Sequence, residues 1–202
     1  MPTKKMVKRV FGTDLTTVVL LDEKTVPSFL SMCITELESQ GLDTEGLYRV
    51  PGRASHILEL KEKADNDELT DHDLSDIFVI HVLTGAIKLF LRELPIPLIH
   101  YDAYPHLMKF MKDSKHDVME LKQILNDQLP KAHYDTLCYL LHHLSRVAEN
   151  SDLNKMESSN LAVVFAPTIM RSAEGDDDLL SQLPLQKKLV ELLINKCHII
   201  FE

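Results

Sequence analysis

The sequence predicts an all-α fold: one domain, a bundle of about eight or nine helices. Two observations carry that expectation. Apolar residues recur at three- and four-residue spacings in segment after segment, which places them on single helix faces. No stretch alternates apolar and polar residues for long enough to make a convincing strand of a sheet. The 202 residues, 45% of them hydrophobic, suffice for one substantial core, and no linker-like break divides them.

Residues 1–12 are basic and are expected to form an N-terminal extension, with the folded domain spanning 13–202. A short extended segment is expected around Val18–Leu21. Val26, Phe29, Leu30, Cys33, Ile34 and Leu37 then form one helical stripe between Thr25 and Gln40. Thr25 reads as its N-cap, Pro27 falls in its first turn and Gly41 follows its end. A second stripe runs Ile77, Ile80, Ile87, Phe90, Leu91, Leu94, and Pro95 closes it. Val118, Leu121, Ile124 and Leu125 make a third, ended before Pro130. The fourth comprises Leu137, Leu140, Leu141, Leu144, Val147 and Ala148, and the fifth Leu185, Leu189, Leu192 and Leu193. Shorter helices are expected at Ser55–Asp65, Tyr101–Lys112 and Ser159–Phe165, and the acidic run Glu174–Asp178 reads as a solvated loop.

Several functions are disfavoured at once. A net charge of −9 argues against nucleic acid or an anionic membrane as the partner of the whole surface, although a few Arg and Lys side chains can still define a local positive spot. No apolar run approaches the roughly 20 residues needed to span a bilayer, and the N-terminus lacks the apolar segment of a secretory signal. The expectation is a cytoplasmic monomer without membrane insertion, any recruitment to membranes falling to domains outside this chain. Cys33, Cys138 and Cys197 are scattered and odd in number, and read as reduced core thiols. The 10 histidines include His142 and His143, but no metal-binding spacing. Those two neighbours face different ways on a helix, and the expectation is surface or half-buried histidines and no metal. Met108, Met111, Met119, Met156 and Met170 read as core fillers. No phosphate-binding Gly-x-x-x-x-Gly-Lys-Ser/Thr loop and no Gly-x-Ser-x-Gly elbow occur, so nucleotide binding by the chain itself is not expected.

Three segments remain. Glu45-Gly46-Leu47-Tyr48-Arg49-Val50-Pro51-Gly52 lies between helical patterns and carries Gly near both ends, a loop suited to holding one long side chain out from a scaffold. Arg49 offers there the planar donors that match phosphate oxygens. Gly85-Ala86-Ile87-Lys88-Leu89-Phe90-Leu91-Arg92-Glu93-Leu94-Pro95-Ile96-Pro97 places Lys88 and Arg92 on one helix face, four residues apart. Two stacked cations repel, so something must offset them. The third segment, Ser158 to Arg171, has Asn160 opening an apolar helix, where Asn is most often an N-cap but can also hold neighbouring groups through its amide.

Together, in this order and at these separations, the segments resemble the Rho GTPase-activating (RhoGAP) domain family, and within it the chimaerins. The resemblance runs from about Phe11 to Phe201 and includes Asp14-Leu15-Thr16-Thr17 and Tyr101-Asp102-Ala103-Tyr104-Pro105. It implies that Arg49 is an arginine finger, that Lys88 and Arg92 help build the GTPase-facing site, and that Asn160 and Pro167 contact the bound GTPase. It implies a Rho-family partner in the GTP-bound state, with Rac-type favoured, to which the GTP and Mg²⁺ belong. The chain would then complete another protein's active site without turnover or cofactor of its own. Pro51 stands where the family often has Ser, and Ala166 where it often has Gly. Neither removes a needed donor, and Pro51 stiffens the loop through its fixed φ. A catalytically silent module that only binds small GTPases is the alternative.

Overall fold

The computed structural model describes residues 9–74, 80–113, 116–171 and 179–202, the last with side chains from Gln182 onward. Ile77 of the second stripe and the run Glu174–Asp178 lie outside the described residues. Within them every regular element is a helix, and there is no strand.

The first element corrects the extended reading of Val18–Leu21, because Leu15–Asp22 is a helix, α1. Asp14 accepts a hydrogen bond from the Thr17 backbone N–H and so caps it. Leu15, Val18 and Val19 bury one face at helical spacing. Burial of that face outweighs the modest helix propensity of Thr and Val. The second element, α2 (Ser28–Gln40), starts later than the sequence suggests. Pro27 is its N-cap rather than Thr25, and the Asp22 carboxylate takes the Ser28 N–H at 2.6 Å, serving the orphan amide from the preceding helix.

The remaining helices are α3 (Ala54–Asp65), α4 (Asp71–Leu74), α5 (Ile80–Glu93), α6 (Ala103–Lys112), α7 (Val118–Gln128), α8 (Lys131–Glu149), α9 (Ser151–Asn154), α10 (Ser158–Ile169) and α11 (Leu179–Ile200). Of these, α4 and α9 are single turns. The centre is α5, buried from Val82 through Ile87 and packed on α2, α3 and α10. Gly85 lets α3 approach, since a Cβ there would lie 2.4 Å from Ile57 Cδ1. On the far side α11 packs against α6, α7, α8 and α10. No helix among the described residues is long and apolar enough to cross a membrane.

Two side-chain devices tie the ends of this core. Arg171 donates to the carbonyls of Arg92, Leu94 and Pro95, closing the C-terminus of α5 against that of α10. The Asp65 carboxylate accepts both the Val10 and the Phe11 N–H, at 2.8 and 2.9 Å. Phe11 is buried, edge-on to Phe29 and Phe90 with ring centroids 4.9 and 5.6 Å apart. Burying a side chain of that size stabilises by about 1.5–3 kcal/mol. Val10 and Phe11 therefore belong to the packed core, although they fall within the stretch expected to be an extension. Met108, Met111, Met156 and Met170 are buried, whereas Met119 is 61% exposed on α7 and is no core filler.

Candidate functional site

The loop from Glu45 to Gly52 is built inside out. Gly46, Leu47 and Tyr48 are buried, and Arg49 and Val50 are exposed. Gly46 has φ 73°, and its N–H donates to the Asn154 carbonyl at 2.8 Å. A Cβ there would meet Val50 Cγ2 at 2.6 Å, so the tight turn needs glycine. Gly52 lies so close to α5 that a Cβ would sit 2.3 Å from the His81 carbonyl oxygen. Between the two glycines, Tyr48 holds φ 67°, a left-handed conformation that costs a non-glycine residue about 1–2 kcal/mol.

Three helices hold Tyr48 in that conformation. Its ring stands edge-on to Phe165 of α10, centroids 4.9 Å apart. Its hydroxyl lies 2.7 Å from His143 Nε2 of α8. Its carbonyl accepts from Lys88 Nζ of α5 at 2.5 Å. The next residue, Arg49, has no hydrogen bond or ion pair to its guanidinium among the described residues. A rigid, buried tyrosine thus presents an exposed, unpaired arginine.

Behind Tyr48 lies a chain of polar groups spanning three elements. His143 Nδ1 is 2.8 Å from Glu38 Oε1, and Arg146 donates to the same oxygen from Nε and Nη2 at 2.9 and 2.6 Å. Burial pushes Glu38 up, but the hydrogen bonds and charges of His143 and Arg146 outweigh it and hold the carboxyl below the usual glutamate range. Burial pulls the His143 ring down despite Glu38, and burial raises the Tyr48 phenol. With Glu38 ionised, a neutral His143 donates from Nδ1 and accepts the Tyr48 proton at Nε2, so every member is satisfied. The reading of His143 as a surface or half-buried residue is corrected, since it is fully buried.

A pH dependence follows from the signs. His143, His133 and His81 all bind a proton less readily folded than unfolded, burial being the leading cause. Below about pH 6.5, the ordinary histidine value, the unfolded chain takes up protons that the folded chain refuses, and stability falls. Glu38, depressed in the fold, adds to the loss below about pH 4.3. Unfolding free energies from urea melts should therefore drop between about pH 7.5 and 5.5, by at most about 1.4 kcal/mol per pH unit for each histidine. A flat profile over that range would contradict neutral buried imidazoles.

Lys88 is half-buried, and burial together with Arg92 lowers its proton affinity. The Tyr48 carbonyl supplies the offset that two stacked cations require. Lys88 and the exposed Arg92 line one shallow depression with Pro51, Gly52, Ile57 and Leu89. Lys88 and Arg92 thus meet beside the end of the loop, and Arg49 follows the residue whose carbonyl Lys88 holds. Asn160 and Pro167 stand apart from this group, both exposed on α10, which reaches the loop through the Phe165–Tyr48 contact. Asn160 is the third residue of α10 and is not its cap, which is Glu157. Its amide donates to the Lys155 carbonyl at 3.4 Å.

Sequence reasoning overlooked two contributors. Val163 is 51% exposed, and with Asn160 and Pro167 it forms an i, i+3, i+7 row opposite buried Leu161 and Phe165. That spacing was present in the sequence. Asn154, fully buried, donates to the Leu42 and Val147 carbonyls and accepts from the Met156 N–H. No local pattern marks it.

Comparison with known proteins bears on the family and the fold. The RhoGAP domain family matches residues 27–174. Rat N-chimaerin is 43% identical over 204 residues, covering 99% of this chain, and human N-chimaerin 44% over 206 residues. Rat beta-chimaerin is 40% identical over 203 residues, and the chain covers 69% of it. The chain spans 61% of the length of rat N-chimaerin and 44% of the human protein. The crystal structure of human Rho GTPase activating protein 15 superposes with a TM-score of 0.90 at 32% identity, over 98% of this chain and 95% of that one. The BH domain from GRAF, the GTPase regulator associated with focal adhesion kinase, gives 0.77 at 28%, over 94% and 97%. The family match covers most of the chain, the relatives and folds nearly all of it, and the chain belongs to the RhoGAP domain family.

Proposed function

We propose that this domain accelerates GTP hydrolysis by a Rho-family small GTPase, binding its GTP-loaded state and inserting Arg49 into its active site. The observation that carries this reading is an exposed guanidinium, unpaired among the described residues, beside a tyrosine fixed by three helices. A surface arginine with no task needs no such support. The pairing of charge and rigidity suits an arginine that donates to phosphoryl oxygens as they gather charge in the transition state.

Lys88 has two parts in this mechanism: it fixes the loop through the Tyr48 carbonyl and, with Arg92, makes a local positive spot on an acidic protein. Asn160, Val163 and Pro167 form the docking row on α10. GTP and Mg²⁺ are held by the partner, and the domain, acting as a monomer, contributes no cofactor and turns over no substrate of its own. Rac-type GTPases are the favoured partners, a preference resting on likeness to the chimaerins.

The test pairs two measurements on Rac, Rho and their relatives: single-turnover GTP hydrolysis with and without the domain, and equilibrium binding to each GTP-loaded protein. The expected result is acceleration, greatest with a Rac-type protein. Binding without acceleration would leave the silent module as the correct reading.

A further inference from the structure

The face of α8 that turns away from Tyr48 carries a second cluster, independent of the GTPase reading. His142 and Cys138 lie one turn apart on α8, and Cys197 and His198 follow each other on α11. The donor atoms of His142, Cys197 and His198 all lie within 4.8 Å of one another. Cys197 is buried, His142 half-buried and His198 exposed, so the cluster has an inner wall and an open side. The two imidazoles stand edge to face with centroids 5.0 Å apart, and Phe201 closes one flank, 6.2 Å from His142.

His142 is also oriented. Its Nδ1 lies 2.9 Å from the Cys138 carbonyl oxygen. A carbonyl only accepts, so Nδ1 carries the proton and Nε2 carries the free lone pair. Metal-binding histidines are commonly held in this way, by a backbone carbonyl on the other ring nitrogen.

We propose that His142, Cys197 and His198 form a Zn²⁺ site that clamps α11 to α8, with water as the fourth ligand. The donors are two imidazole nitrogens and one thiolate, a set that suits zinc and not magnesium or calcium. Zinc bonds of about 2.0–2.1 Å to nitrogen and 2.3 Å to sulfur put tetrahedral ligands about 3.3–3.6 Å apart. Cys197 binds as the thiolate, and its proton passes to solvent. Spacing along the chain hides the site, because its ligands sit on two helices more than fifty residues apart.

Titration of the untagged 202-residue chain with Co²⁺ in reducing buffer tests the proposal. One equivalent should give a thiolate-to-cobalt charge-transfer band and the strong visible bands of a tetrahedral ion, both erased by Zn²⁺. Cys197→Ser should abolish the charge-transfer band. His198→Asn, at an exposed position that leaves the fold intact, should weaken binding by at least about tenfold. Absence of the charge-transfer band at one equivalent, or His198→Asn affinity within about twofold of wild type, would overturn the site. If Cys197→Ser does not fold, the His198 variant decides alone.

Discussion

On the proposed mechanism, Arg49→Ala is expected to lower the stimulation of GTP hydrolysis by about 10³–10⁵, the range of an arginine finger supplied in trans. In barrier height that is about 4–7 kcal/mol. The substitution is clean because the side chain is exposed and has no partner among the described residues. Its removal orphans nothing, so the melting temperature should stay unchanged, as for surface substitutions within about 0.5 kcal/mol. Affinity for the GTP-loaded partner should fall much less than the rate. On the proposed mechanism the lost hydrogen bonds form only in the transition state, and the α10 docking row is left intact. Arg49→Lys keeps the charge but loses the planar fork, and falls between the two. Single-turnover hydrolysis at saturating domain reads the effect directly. Wild-type rates in the alanine variant would remove the finger from the mechanism and leave a docking domain.

The contrast between Arg49 and its supports also marks what one-dimensional information carries. Helices α2, α5, α7, α8 and α11 were legible because each buries a stripe at a fixed spacing. The first helix was not, because Val18–Leu21 reads locally as extended, and only the core on one side makes the helix win. The single turns α4 and α9 are shorter than any stripe. In the site, Arg49, Lys88 and Arg92 were legible from motif and spacing. The groups that hold them were not. Tyr48 meets His143 across 95 residues, His143 meets Glu38 across 105, and Asn154 meets Leu42 across 112. Side-chain pairing at such separations is a product of packing, and nothing in the local pattern encodes it. The same holds for His142 and Cys197, which spacing alone made unlikely partners.

Asn154→Ala is expected to destabilise the domain by about 3–5 kcal/mol and, through the base of the Glu45–Gly52 loop, to weaken stimulation as well. Asn154 is 0% exposed, and its side chain makes three hydrogen bonds of 2.7 to 2.8 Å. Alanine leaves the Leu42 and Val147 carbonyls and the Met156 N–H buried without a partner, each costing about 1–3 kcal/mol. Water admitted to the small space relieves part of the sum, which sets the lower end. For a chain of this size the loss corresponds to about 6–20 °C in melting temperature. Asn154→Asp should be no milder, since it keeps the acceptor for Met156 but turns two donors into a charge facing two carbonyls. The backbone carbonyl of residue 154 also accepts from Gly46. Loosening this hub therefore frees the base of the finger loop, and surviving folded protein should stimulate hydrolysis less well at full partner saturation. Thermal melts and rates together separate the two residues: position 49 moves rate without melting temperature, and position 154 moves both. A melting temperature within about 2 °C of wild type for Asn154→Ala would show that the loop stands on its helices without this hub.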